Sequence, residues 1–166
     1  MAIIECARNL GDIPDAHSAE FRPDHKNNVV DLMSGQEDRL ETGGSMRLGS
    51  YPAHLQKGSK IASIYQSTEI SERHRHRYEV MNHFIPILEK CGMQISGKNP
   101  ELDLVETIER ADHPWFIACQ FHPELKSKPL LPHPLFASYI HAAYEHRNFR
   151  LGQERRQTEK VRTSHG

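Results

Sequence analysis

His122-Pro123-Glu124 is the tripeptide of this chain best suited to proton transfer. On an extended backbone, side chains two apart share a face, so the imidazole and the carboxylate lie side by side. A carboxylate in that position fixes the ring tautomer and stabilises the imidazolium that forms when the ring takes a proton. His122 as general base with Glu124 as its orienting partner is one reading. A solvated pair at a strand end is the other. A nucleophile for such a base is hard to find among the three cysteines, Cys6, Cys91 and Cys119. Cys119 stands at an odd spacing from His122, which points it to the opposite face. Cys6 falls within a helical pattern and Cys91 at a helix end, so all three read as packing thiols.

A second group lies in Arg73-His74-Arg75-His76-Arg77. On a strand the arginines share one face and the histidines the other. An arginine face suits bidentate capture of a carboxylate, and a charged edge strand is the plainer alternative. Two histidines at i, i+2 flanked by cations and with no third ligand make a poor metal site, and none is expected.

The elements that must position these residues follow from the periodicity. Residues 1–10 read as a helix with Ile3, Ile4, Ala7 and Leu10 on one side and Gly11 as its stop. Residues 34–44 are a polar loop ending in a glycine pair. Met46–Leu55 reads as a strand interrupted by Pro52, Lys60–Tyr65 as a short helix, and Arg73–Val80 as an alternating strand. Phe84–Cys91 reads as a helix capped by Gly92. Strands follow at Met93–Ser96, Leu102–Ile108 and Trp115–Phe121, the last a continuous apolar run of the kind buried on both faces. A helix runs from His133-Pro134 to about Arg147, with Leu135, Phe136, Tyr139, Ile140 and Ala143 inward. The fold class expected is α/β, with a mixed central sheet flanked by helices.

Length and composition bound the remaining possibilities. The chain has 166 residues, 37% hydrophobic and 26% charged, with net charge −1. This is one domain's worth of sequence, and the charge balance argues against general nucleic-acid binding. No apolar run reaches the ~20 residues a membrane span needs, and the first ten residues do not form a signal peptide. Sparse cysteines in an odd number give no disulfide framework, which fits a reducing, cytoplasmic setting. Residues 147–166 hold six Lys/Arg against two Asp/Glu. That division gives a domain over 1–146 and a basic, disordered tail over 147–166.

Several stretches taken together carry a resemblance: DAHSAEF (15–21), GGSMRLGSYPAHL (43–55), ISERHRHRYEV (70–80), LVETIE (104–109) and HPWFIACQFHPELKSKPLLPHPLF (113–136). They resemble, in order, the C-terminal class I glutamine amidotransferase domain of the CTP synthase family. QFHPE marks a class I amidotransferase, and ERHRHRYEV with GG-x-MRLG narrows it to this family. Ser45, Met81 and Leu125 depart from the usual threonine, asparagine and phenylalanine.

The resemblance implies a Cys-His-Glu triad that hydrolyses glutamine and passes ammonia to a synthetase domain, which aminates UTP to CTP with ATP and magnesium. It implies His122 and Glu124 as the triad's histidine and glutamate, and Glu20 and Arg77 as ligands of the glutamine α-amino and α-carboxylate groups. It implies Gly43, Gly44 and Arg47 as part of a lid loop linked to activation by GTP, and a homo-oligomeric assembly. It also sets Met1 just after the G-x-C-x-G elbow that carries the nucleophile. The expectation is then a partial amidotransferase fold without elbow or synthetase domain. Such a chain binds no cofactor itself and is catalytically incomplete alone. The alternative is a non-catalytic binding or regulatory homologue.

Overall fold

A computed structural model describes residues 1–32 and 46–163. The chain opens with α1 (Ala2–Asn9), followed by β1 (His17–Ser18) and β2 (Asn28–Asp31). β3 (Arg47–Leu55), α2 (Lys60–Tyr65), β4 (Glu69–His76) and β5 (Glu79–Val80) come next. A 3₁₀ turn leads into α3 (Ile85–Lys90), then β6 (Met93–Lys98), β7 (Val105–Arg110) and β8 (Ile117–Cys119). A second 3₁₀ turn (Pro123–Leu125) precedes α4 (Pro134–Thr163).

Two sheets result, where one mixed central sheet was expected. The larger has the order β4-β3-β6-β7-β8 and is antiparallel throughout. The mixed pairing is confined to the smaller sheet, β1-β2-β5, where β1 runs parallel to β2 and β2 antiparallel to β5. The α/β class stands.

The β3–β4 ladder is continuous from Arg47↔His76 to His54↔Glu69, and it includes Pro52. β6 bulges between Ile95 and Gly97. Gly97 is required there, because a Cβ would stand 2.5 Å from Thr107 Oγ1 and 2.8 Å from Leu55 Cδ2.

The six-residue helix α2 is too short to hold itself together. Ser59 Oγ accepts from Ala62 N at 3.2 Å, and the Glu109 carboxylate accepts from Lys60 N and Ile61 N at 3.0 and 2.9 Å. One apolar core joins Ile3, Ile4, Ala7, Val29, Leu88 and Val105 under α1 and α3. A second joins Leu55, Ile61, Phe121 and Leu135 beneath α2 and the start of α4.

Three expectations are corrected. The apolar run at 115–121 yields only three strand residues, all half-buried, because β8 is the edge of its sheet and no described strand covers it. Of the five α4 residues expected inward, only Leu135 is buried, although Tyr139 lies edge-on to Trp115. Phe136, Tyr139, Ile140 and Ala143 are exposed, since beyond Leu135 the helix faces the body only along the 113–115 segment. The helix also continues through Thr163, past the boundary placed at Arg147. Its exposed turns are rich in helix-forming Arg, Gln, Glu and Leu and carry an i, i+4 pair between Arg150 and Glu154.

Candidate active site

The chain leaves β8 through Gln120 and Phe121 and reaches His122 at φ −110° and ψ 88°. Pro123 then starts the 3₁₀ turn, which folds Glu124 back beside the ring. His122 Nδ1 lies 2.6 Å from Glu124 Oε1. The hydrogen bond from the ring holds the Glu124 carboxyl below its ordinary range. The carboxylate thus fixes Nδ1 as the protonated nitrogen and leaves Nε2 as the basic one, with no described residue bonded to it. Both side chains are open to solvent, so a substrate can reach them.

Two contacts lock this turn onto the rest of the molecule. His122 N–H donates to the Arg73 carbonyl at 2.8 Å, and Gln120 Nε2 donates to the Tyr78 carbonyl at 3.0 Å. The proton-transfer pair is thereby tied to the bend between β4 and β5, where Arg77 sits half-buried.

Strand directions bring Arg77 and Glu20 to one end of the small sheet. Asp31 ends β2 and pairs with Glu79, two residues after Arg77, while parallel β1 runs out toward Glu20 at the same end. No described residue engages the Glu20 carboxylate or the Arg77 guanidinium. A cation and an anion at one end are the complement of an α-amino acid.

The cysteines are not brought to His122 as nucleophiles. Cys119 lies toward the Phe121 carbonyl at 3.5 Å, and burial with the nearby Glu72 pushes its thiol up to about 12. Cys6 is buried in the core. A cleft of about 160 Å³ beside β8 is lined by Met1, Ile3, Val30, Val80, Ala118 and Gln120, among others.

Alternation on β4 holds, with Arg73 and Arg75 exposed and His74 and Glu72 buried. What the sequence did not reveal is the charge network on the inward face. Arg47, expected in a lid, is the first residue of β3, and its guanidinium is buried. Nη2 meets Glu106 Oε1 at 2.6 Å, Nη1 meets Glu79 Oε1 at 3.3 Å, and the group stacks 4.6 Å over Tyr51. Glu106 Oε2 takes His74 Nε2 at 2.6 Å, and His76 lies 3.3 Å from Glu79. A second knot joins Glu72 to Tyr65, His133 and Lys126, each at 3.1 Å, and so ties the loop after Glu124 to β4. Burial and Glu72 raise the Tyr65 hydroxyl pKa, keeping it a donor. A signal for this existed in LVETIE, whose glutamates interrupt an apolar strand pattern, but their partners are distant in sequence.

Gly43 and Gly44 lie outside the described residues. Among the described residues no group of three His, Cys, Asp or Glu side chains is arranged to hold a metal ion, and no helix is long and apolar enough to cross a membrane. His74 and His76 are instead held by Glu106 and Glu79.

The profile of the family described as glutamine amidotransferase class-I matches residues 15–142. The chain is 58% identical over 154 residues to the CTP synthase of Rhizobium etli (strain CIAT 652), covering 87% of this chain and 28% of that protein. It is 55% identical over 150 residues to the CTP synthase of Geobacter metallireducens, covering 90% and 28%. The chain therefore spans under a third of the length of these relatives. Among solved structures, the Trypanosoma brucei CTPS glutaminase domain with bound acivicin superposes with a TM-score of 0.79 at 37% identity. That match covers 87% of this chain and 56% of the other.

Proposed function

The chain belongs to the glutamine amidotransferase class-I family, and from that premise we propose that it forms the base-bearing, substrate-gripping part of the glutaminase site of a CTP synthase. The observation that carries this is the His122–Glu124 pair, 2.6 Å apart, with Nε2 free at an accessible strand end. In the reaction a cysteine thiolate attacks the side-chain amide carbon of glutamine. His122 gives the proton with which ammonia departs, and then takes one from the water that hydrolyses the thioester. Glu124 holds the ring tautomer throughout. Arg77 pairs with the substrate α-carboxylate and Glu20 with its α-amino group.

The nucleophile is none of Cys6, Cys91 and Cys119. The high thiol pKa of Cys119 and the core position of Cys6 support this, as does the position of Cys91 at the C-cap of α3, where its carbonyl takes Arg110. Gly43, Gly44 and Arg47 are proposed to belong to a GTP-responsive lid, with buried Arg47 as its fixed end. The ammonia released is the nitrogen for ATP-dependent amination of UTP elsewhere in such a protein.

The test is complementation. The chain is mixed with a polypeptide carrying the G-x-C-x-G elbow and early strands of a CTP synthase amidotransferase domain. Ammonia release from glutamine should appear, and should vanish with His122→Ala. Binding of the two pieces with no activity, indifferent to His122→Ala, would instead favour a non-catalytic homologue.

A further inference from the structure

α4 is a 30-residue helix, about 45 Å from end to end. Leu135 anchors its start, and Tyr139, Ala143 and His146 turn toward the 113–115 segment. The adjoining face of the helix holds Ile140, Tyr144, Arg147, Leu151 and Glu154, all exposed. They are spaced four, three, four and three residues apart, the repeat that keeps one face turned to a partner helix. Ile140 is 64% exposed, Tyr144 56% and Leu151 40%. Large apolar side chains lined up in water on one face mark a surface that buries itself against something.

The charges within this stripe decide the occupant. In a parallel, in-register pair of α4 helices, Arg147 would face Arg147 and Glu154 would face Glu154. In an antiparallel pair overlapping along the whole of Pro134–Thr163, Leu151 of each copy stacks on Arg147 of the other. Glu154 of each copy then comes one layer away from both Tyr144 and Arg147 of the other. The stripe is therefore complementary to itself when antiparallel, cation to anion, and self-repelling when parallel. Glu154 also meets Arg150 of its own helix at 3.7 Å, and an exposed carboxylate accepts from more than one donor. The antiparallel orientation also carries the basic end of α4 back toward the other copy's domain. Residues 147–166 hold six Lys/Arg against two Asp/Glu, and residues 1–146 hold fifteen against twenty.

We propose that α4 is a self-association element, through which two copies of this chain pair antiparallel along Ile140, Tyr144, Arg147, Leu151 and Glu154. Each copy supplies the same face, so the contact closes at two. Arg147 and Glu154 cost the pair some stability and fix its direction. Neither His122, Glu124 nor Arg77 takes part, so the proposal stands apart from the glutaminase reading.

Sedimentation of the full chain over a concentration series tests this. The mass should rise from 19.1 kDa toward twice that value. Ile140→Glu and Leu151→Glu should each leave a monomer in which the near-UV signal of Trp115, on the other flank of the helix, is unchanged. Arg147→Glu alone and Glu154→Arg alone should each weaken the dimer about tenfold, and the two together should restore it. A parallel pair would leave all three charge variants as tight as the parent. A chain that stays monomeric up to about 0.1 mM, a dimer indifferent to Ile140→Glu, charge variants all equal to the parent, or a double variant no tighter than the singles overturns the proposal.

Discussion

Arg47 at the head of β3 and Glu106, the second residue of β7, meet at 2.6 Å with both side chains almost wholly excluded from water. The strands are not neighbours in the sheet, since β6 lies between them in the order. The ion pair therefore spans the inward face of the sheet. It ends beneath the bend that presents Arg77, because the same guanidinium also holds Glu79. Glu106→Ala should leave His74 without its anion and Arg47 with Glu79 alone. Removing one partner of a buried pair typically costs about 3–5 kcal/mol, and urea denaturation of the variant should show a loss of that order. A loss under 1 kcal/mol would mean that water reaches this site and screens it.

The isolated chain should release no ammonia from glutamine. Oxyanion donors alone are worth about 10²–10³ in rate, and without a thiolate there is no tetrahedral intermediate for them to stabilise. Coupled detection of ammonia, with His122→Ala as the blank, measures this. A rate above that blank would restore one of the three cysteines as nucleophile.

In a complete enzyme, His122→Ala should lower glutamine-dependent kcat by about 10²–10⁴, the usual range for a lost general acid–base group. Glu124→Gln should lower it less, because the amide can still orient the ring although it cannot stabilise the imidazolium. Equal losses would assign Glu124 a direct part in proton transfer.

Arg77→Ala in the same enzyme should raise KM for glutamine and spare the reaction driven by free ammonia. A charge-assisted contact of this kind, when buried, is worth on the order of 2–5 kcal/mol. Parallel loss of both reactions would show that Arg77 supports the fold and does not grip substrate.

Glu79 and His76, 3.3 Å apart, have opposite pH signatures. Burial lifts the Glu79 carboxyl from 4.5 to about 7 even with Arg47 beside it. Burial, with Arg47 and His74, pushes His76 from 6.5 down to about 4. Between about 4.5 and 7, folded Glu79 keeps a proton that the unfolded chain has released, so its contribution to stability falls as pH rises. Between about 4 and 6.5, unfolded His76 holds a proton that the folded ring refuses, so its contribution rises with pH. The slopes oppose each other across the shared window. Glu79→Gln should therefore expose the His76 term, and stability should climb from pH 4 to 6.5 more steeply than in the parent chain. Denaturation midpoints at half-unit pH steps would detect this, and an unchanged slope would remove the assignment.

Local pattern carried the reading of this sequence where neighbours in the chain settle the outcome. Lys60–Tyr65 emerged as α2 with the expected bounds, and β3 formed over nearly the expected residues, although Pro52 does not interrupt it as expected. The Arg/His alternation on β4 told outward from inward, and His-Pro-Glu folded into contact because the proline turn is local. The failures share one cause. Whether Phe136 and Ile140 are buried depends on what lies opposite α4, and whether 115–121 is a central or an edge strand depends on sheet order. Periodicity encodes neither. The buried carboxylates of Glu72, Glu79 and Glu106 were illegible for the same reason, since the cations that make their burial tolerable come from other strands and loops.

Glu109 reaches from β7 to the first two amides of α2 and accepts both. The start of that helix is thus fastened to the sheet, and its backbone cannot fray without pulling a buried carboxylate out with it. Deuterium uptake at Lys60 and Ile61 should accordingly follow opening of the β7 ladder and not the quick breathing of a six-residue helix. These two amides make α2 a clock for the sheet beneath it, ticking at the rate at which β7 itself comes apart.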